Sequence, residues 1–470
     1  MRRRIRVIEL ADVFERIRRQ ADLPMAFPEP VEEEAGAVTP DTSEHEDLRS
    51  IPFVTVDPPD AMDLDQAIAL EALEGGAIRL RYAIVDLSAF VVAGGEIDRE
   101  ARRRGQTVYC PDLAVPLHPE TLSERNASLL PGEERPVVVF EIDVEADGVP
   151  RRFDIRKAII RSRERYDYRT LQSLFDAGNP PEPLALLGAF GEARLERGVE
   201  RGALTLRLPE QHAVEKEGRW TLTCRSDLAV ERWNAEVSLL TGMVSADLML
   251  EHGVGILRTL PAPDVDAMGR LRGAAKALGV AWSRDVSPAE LLASLDPGRP
   301  RQMALFVAAT LLLRGAGYRG FRDGVPTDED LGHGGLASHY AHVTAPLRRL
   351  VDRYTLATCT ALAAGRAVPG WVEEAVGEIP EMMAETDSRA SGVERKCVDA
   401  AEAWVMGGRT GERFGATVLD ADGRGSQLWI DEPPILAWAE GIRAKSGQKI
   451  EVVVDDTDVI RGMIAFSRTD

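Results

Sequence analysis

Four aspartates fall within nine residues, Asp57, Asp60, Asp63 and Asp65, in the stretch Phe53-Val-Thr-Val-Asp-Pro-Pro-Asp-Ala-Met-Asp-Leu-Asp-Gln-Ala-Ile. Like charges this close repel. A folded chain keeps them together only if a cation neutralises them, if protons are shared, or if water screens them. The flanks, Phe53–Val56 and Ala67–Leu70, read as buried strand. Carboxylates between buried strands suit a hard, oxygen-ligated Mg²⁺ or Mn²⁺ and hence phosphoryl chemistry. An acidic turn between two strands explains the spacing equally well.

The 470 residues are 44% hydrophobic, enough for two or three domains of ordinary globular composition. No apolar run is long enough to span a bilayer, so a cytoplasmic protein without membrane contact is expected. The four cysteines, Cys110, Cys224, Cys359 and Cys397, are widely spaced in sequence. They fit reduced thiols better than a zinc site or a disulfide framework. The net charge of −20 argues against a generally basic nucleic-acid surface. Basic residues nevertheless cluster. Arg102-Arg103-Arg104 reads as a solvated face. The run Arg151, Arg152, Arg156, Lys157, Arg161, Arg163, Arg165 and Arg169 has the density of a phosphate-lined channel.

Pattern divides the chain into an N-terminal helix and linker (1–48), a main domain (49–405) and a small terminal domain (406–470). Apolar positions at Ile5, Ile8, Val13, Phe14 and Ile17 suggest the helix, and residues 20 to 48 read as a Pro- and Glu-rich linker. The first half of the main domain is β-rich. Gly75-Gly76 turns Ala67–Leu73 into Ile78–Asp86, and Asp147-Gly148 turns Val137–Val144 into Phe153–Ile160. The second half is helical over Asn234–Leu250, Met303–Arg314, Leu347–Ala364 and Ala390–Val405. Gly411–Leu419, Ser426–Asp431 and Lys449–Asp455 suggest a closing OB-like β-barrel. The expected fold class is α+β with this barrel appended.

The aspartate segment is followed in order by Tyr82-Ala-Ile-Val-Asp-Leu-Ser, Thr107-Val-Tyr-Cys-Pro, Leu122-Ser-Glu-Arg-Asn-Ala-Ser-Leu-Leu-Pro-Gly-Glu-Glu-Arg-Pro and Tyr340-Ala-His-Val-Thr-Ala-Pro-Leu-Arg-Arg-Leu-Val-Asp-Arg. This ordered set resembles the catalytic RNB domain of the ribonuclease II/R family over residues 50 to 405. The C-terminal barrel resembles that family's RNA-binding OB domain. The resemblance implies a magnesium-dependent, processive hydrolase. Such an enzyme shortens single-stranded RNA from its 3′ end and releases nucleoside 5′-monophosphates.

It also implies site residues. Asp57, Asp63 and Asp65 match three of the family's four catalytic aspartates, with Asp65 at the most critical position; Asp60 is an extra acid. Arg348 matches the arginine on the scissile phosphate, where a guanidinium can clamp two oxygens. The Thr344-Ala-Pro346 turn is expected to put it at a helix start. Tyr109 and Tyr168 match tyrosines near the 3′-terminal nucleotides, and aromatic faces stack bases without reading sequence. Glu236 lies near a family glutamate that contacts RNA, where the usual Glu-Glu pair reads Ala235-Glu236, and Glu394 is a similarly weak candidate. Tyr340, His342 and Asp352 read as scaffold.

Three departures from the family pattern stand out. Gln66 replaces the fourth aspartate, and it offers a metal one neutral oxygen and no charge. The implied metal set is therefore Asp57, Asp63, Asp65 and Gln66, with weakened Mg²⁺ affinity or a preference for Mn²⁺. Fewer than fifty residues precede the main domain, so the chain is read as a short form without N-terminal cold-shock domains. The segment Gly202–Leu208 lacks the usual aromatic of the base clamp. Two alternatives stand beside the exonuclease: a catalytically impaired RNA-binding relative, and a magnesium enzyme acting on a small phosphate ester. A monomer with no assigned protein partner is expected.

Overall fold

The computed structural model describes residues 5–6, 10–207, 210–216, 219–225, 227–327, 331–445 and 447–469. Met1–Arg4, Ile8 and Leu208 lie outside the described residues.

The central sheet has five strands in the order Glu46–Asp47, Pro150–Arg161, Glu134–Val144, Ile78–Val85 and Gln66–Ala72. The first pair is parallel and the others antiparallel. Both expected hairpins are present, at Gly75-Gly76 and Asp147-Gly148. Side chains alternate with period two along a strand, so each strand serves two cores. Leu80, Tyr82, Ile84, Val138 and Phe140 pack on helices of the second half. Ala83, Val85, Val137 and Val139 pack on the opposite side with Phe53, Leu64 and Leu347. Fully burying a side chain such as Phe140 contributes about 1.5–3 kcal/mol. Tyr82 also exchanges a hydrogen bond with Ser238, 2.8 Å away on the Ala229–His252 helix. Sheet and helix are thereby held in register under the aspartate segment.

The helical half follows, with Ala229–His252, Pro300–Ala309 and Leu350–Ala363 near the expected ranges and Ile379–Gly407 beginning eleven residues before the expected Ala390. The 29-residue Ile379–Gly407 helix runs on to a five-stranded antiparallel sheet. Its order is Ile435–Glu440, Gly425–Ile430, Arg413–Ala421, Lys449–Asp458 and Met463–Thr469, with the two edge strands approaching each other. The α+β architecture with an OB-like terminal barrel is the observed one.

The sequence misjudged three regions. Residues 20 to 48 hold the Glu29–Ala37 helix, with Leu23, Val31 and Ala35 buried. Glu34 accepts from the backbone N–H of Glu96. Proline and glutamate suggested a linker, yet proline suits the first turn of a helix. Arg104 is not solvated: it is 4% exposed and pairs with Glu100. Half of the second basic run is matched by acids, Lys157 by Glu44 and Asp86 among them. Arg156 pairs with Asp154 and Glu141, Arg161 with Glu134, and Arg151 with Glu145. Glu141, Glu134 and Glu145 come from the neighbouring strand or the hairpin end and Asp154 from the same strand, and a sequence run does not show its partners across a strand.

Cys110, Cys359 and Cys397 are free thiols. Among the described residues, no helix is long and apolar enough to cross a membrane.

Candidate active site

The Thr55–Val56 strand delivers Asp57, whose N–H donates to Tyr166 O at 3.1 Å. Arg165 donates to the carbonyls of Pro58 and Pro59 and so fixes the loop that follows. Leu64 is fully buried, and its N–H donates to Ser128 Oγ at 3.0 Å. Ser128 Oγ in turn donates to Met62 O at 2.6 Å. Leu64 thus roots the segment between Asp63 and Asp65. Asp60 lies on the exposed outer loop.

Asp65 is 2% exposed. Its Oδ1 accepts the N–H of Leu347 at 2.8 Å, and its Oδ2 stands 3.5 Å from Arg348 Nε. Burial pushes the Asp65 carboxyl well above its ordinary range, against the opposing charge of Arg348. Burial raises Asp63 too, and raises Asp57 to about 6. The negative charge of Asp63 pushes both neighbours further up, while Arg348 pulls all three down. Arg348, joined at Asp57 by Arg165, does not balance three carboxylates of which Asp65 is buried and Asp57 and Asp63 are half-buried. The cluster is short of positive charge.

That shortfall gives a test of whether a cation fits. Asp57 Oδ2 is buried and has no hydrogen-bond partner, an orphaned acceptor of the kind an ion would satisfy. Among the described residues, no group of three or more His, Cys, Asp or Glu side chains converges to enclose an ion. Mg²⁺ needs no such cage, since one or two carboxylates plus water and substrate phosphate suffice. Asp57 and Asp63 meet that requirement. Gln66, at the start of the Gln66–Ala72 strand, donates its side-chain N–H to Thr344 O.

Arg348 precedes the Leu350–Ala363 helix and does not open it, contrary to the sequence expectation. It lies in a short backbone bridge. Thr107 N–H donates to Arg348 O at 2.9 Å, and Leu350 N–H donates to Gly105 O at 2.9 Å. The same bridge leads directly into the Val108–Tyr109 strand, so Tyr109 and Arg348 are positioned together. Tyr168 begins the Tyr168–Asp176 helix, capped by Asp167, which accepts from Arg169 and Thr170 N–H. Its hydroxyl accepts from Asn234 at 3.5 Å, and its ionisation is opposed first by burial and then by Asp57.

The structure therefore brings Asp57, Asp63, Asp65, Arg348, Tyr109 and Tyr168 together. Glu236 is buried beside Arg194, 3.9 Å away, and its carboxyl is raised by that burial. Glu394 is half-buried on the Ile379–Gly407 helix. Leu204 and Leu206 of the aromatic-free segment pack in a helical core. Asp352 is fully buried; it accepts Ala345 N–H at 2.7 Å and holds Arg349 at 2.8 and 2.9 Å. His342 meets Tyr318 Oη at 2.8 Å and is kept neutral by burial and the nearby charge of Arg349. Sequence reasoning counted Arg165 only within the basic run and gave no role to Ser128, Asn234 or the Gln66 contact. Ser128 and Thr344 do lie inside recognised motifs, which was the available signal.

Comparison with known proteins adds an independent line. Residues 45–362 match the RNB domain, and residues 412–469 match the RNase II-type exonuclease C-terminal S1 domain. Ribonuclease R of Aquifex aeolicus is 28% identical over 423 residues, covering 84% of this chain and 58% of the relative. The chain spans about half the length of the curated relatives it matches. Mycoplasma genitalium RNase R in complex with ribose-methylated single-stranded RNA superimposes with a TM-score of 0.84 at 20% identity. That match covers 97% of this chain and 77% of the other. Yeast Ssd1, a pseudonuclease, has a TM-score of 0.68 at 16% identity, over 94% of this chain and 58% of its own. At such identities these structures establish the fold alone.

Proposed function

The chain belongs to the RNB-domain family, and on that premise we propose that it is a 3′-to-5′ exoribonuclease. It hydrolyses single-stranded RNA to nucleoside 5′-monophosphates with Mg²⁺ or Mn²⁺, acting as a cytoplasmic monomer. One observation carries the reading: the buried, orphaned Oδ2 of Asp57 lies in an undercharged carboxylate cluster beside Arg348. Asp65 has a structural role in holding the Leu347 backbone, but Asp57 Oδ2 has none, and an unsatisfied carboxylate oxygen beside an arginine suits a cation together with a phosphate.

Asp57 and Asp63 would hold the ion, and Asp65 stands beside Arg348. When bound, the cation supplies Lewis-acid chemistry, lowering the pKa of water and neutralising charge on phosphate oxygens. The chain's own residues do the rest. Arg348 is 39% exposed, and its guanidinium is free to donate to phosphate oxygens as their charge grows. Asp65 orients that guanidinium and holds the Leu347 backbone. Tyr109 and Tyr168 offer aromatic faces to terminal bases, whose stacking is tolerant of sequence. The terminal barrel adds a second RNA contact, as OB folds do.

The test is a time course on 5′-labelled single-stranded RNA with Mg²⁺ or Mn²⁺, with Asp65→Asn as control. Progressive 3′ shortening with release of nucleoside 5′-monophosphates, and a silent control, is the expected result. A second reading, an impaired RNA-binding relative, is favoured by Gln66. RNA retained by the chain but never shortened would establish it.

A further inference from the structure

The turn Thr344–Leu347, which leads into Arg348, is held at three backbone points by three side chains. Asp65 accepts Leu347 N–H at 2.8 Å. Asp352 accepts Ala345 N–H at 2.7 Å. Gln66 donates its amide N–H to Thr344 O. Two of these jobs need an acceptor, and carboxylates do them. The third needs a donor, because a carbonyl oxygen only accepts. No carboxylate can do it when ionised.

We infer that Gln66 is a positioning residue, which clamps the Thr344 carbonyl and thereby sets the guanidinium of Arg348, rather than a weakened metal ligand. An ionised aspartate at position 66 and this hydrogen bond are mutually exclusive. Aspartate is one methylene shorter, has no N–H, and would set oxygen against oxygen. The departure from the four-aspartate pattern and the grip on the turn are one feature. Asp65, just before the Gln66–Ala72 strand, and Gln66, its first residue, grip opposite ends of a four-residue turn. That fixes its orientation as well as its position. The inference rests on the exonuclease reading for its kinetic consequence, and it stands on geometry for its effect on RNA binding.

The two roles predict opposite signs. Restoring an acid to a depleted metal site raises activity and lowers the Mg²⁺ concentration needed. Removing a clamp does the reverse to activity and leaves the Mg²⁺ requirement alone. The experiment compares wild type with Gln66→Asp, Gln66→Glu, Gln66→Met and Arg348→Ala, and with Gln66→Glu combined with Arg348→Ala. It measures kcat and KM on single-stranded RNA, the Mg²⁺ midpoint, and RNA affinity in EDTA. Misplacing a phosphate-binding group by about 1 Å can cost about a hundredfold in rate. Both acids are expected to lower kcat by about ten- to a hundredfold with the Mg²⁺ midpoint within about twofold of wild type. In EDTA, Gln66→Glu weakens RNA binding, and on an Arg348→Ala background it weakens it no further, the non-additivity expected of coupled residues. If Gln66→Glu does not fold, Gln66→Met, uncharged and of similar length, reads the same loss.

A rise in activity with Gln66→Asp, a several-fold lower Mg²⁺ midpoint, or additive losses in EDTA overturns the inference. A wild-type chain that never shortens RNA overturns the proposed function instead. The EDTA cycle still decides the clamp in that case.

Discussion

Arg348 Nε stands 3.5 Å from Asp65 Oδ2, yet Asp65 is nearly sealed from solvent, whereas Arg348 is 39% exposed. This distance is beyond a good hydrogen bond, so Asp65 steers the guanidinium without consuming its five donors. An arginine tethered electrostatically and still open to solvent suits a phosphate. Lysine at this position keeps the charge and loses the planar fork. Arg348→Lys and Arg348→Ala are both expected to lower kcat by about 10²–10³-fold, the cost of removing one donor aimed at developing charge. Single-turnover assays at saturating Mg²⁺ check this. Full activity in Arg348→Lys would show that point charge is enough.

The raised carboxyls make a prediction about stability. Asp57 is pushed from 3.8 to about 6 by burial. A carboxyl raised in the folded state contributes stability below its ordinary pKa and loses it as pH climbs through about 6. Metal-free protein should therefore lose stability between pH 4 and 7 from this cluster. A bound cation offsets that loss, so the Mg²⁺-induced rise in Tm should be larger at pH 8 than at pH 5.5. At a hundred times Kd the offset is about 2.7 kcal/mol. Asp57→Asn should remove the increment and melt higher than wild type at pH 8 in EDTA. Scanning fluorimetry across pH measures both. An increment that does not vary with pH would place the cation elsewhere.

Tyr109 follows directly from the bridge that pairs Gln106 with Arg349, so its ring is delivered to the same point as Arg348. Stacking needs the ring and not the hydroxyl. Tyr109→Ala should weaken single-stranded RNA binding by about 1–3 kcal/mol, and Tyr109→Phe by much less. Fluorescence anisotropy in EDTA separates this from chemistry. Equal losses in both variants would assign the effect to the hydroxyl.

The sequence made the sheet legible because period-two alternation and glycine turns are local signals. It made the aspartate cluster legible because the motifs are contiguous. Arg348 was found, yet its place before the helix was not, since a non-local bridge to Gly105–Thr107 fixes where the helix begins. The Gln66 contact was equally hidden. A substitution reads as a lost charge until its distant partner, the Thr344 carbonyl, is known. The basic run at 151–169 misled in part for the same reason, since Arg156 and Arg161 meet Glu141 and Glu134 across a strand.

Arg104 shows how far such hidden partners govern stability. Its guanidinium meets Glu100 at 2.7 Å and donates to the carbonyls of Pro24, Ala26 and Pro116 at 2.7–3.0 Å. It also lies 3.6 Å from the ring centroid of Phe27. One side chain thus ties the segment before the Glu29–Ala37 helix to the body of the fold. Arg104→Met would leave Glu100, 7% exposed, deprived of this buried partner, and three carbonyls without a donor. Breaking a buried ion pair from one side costs about 3–5 kcal/mol. Arg103 is 54% exposed and pairs with the same acid, so Arg103→Met should cost no more than about 1 kcal/mol. Urea unfolding of the two variants measures the contrast, with limited proteolysis of Arg104→Met expected to cut first between residues 20 and 30. Equal stability of the two would mean that Glu100 finds its compensation from Arg103 alone.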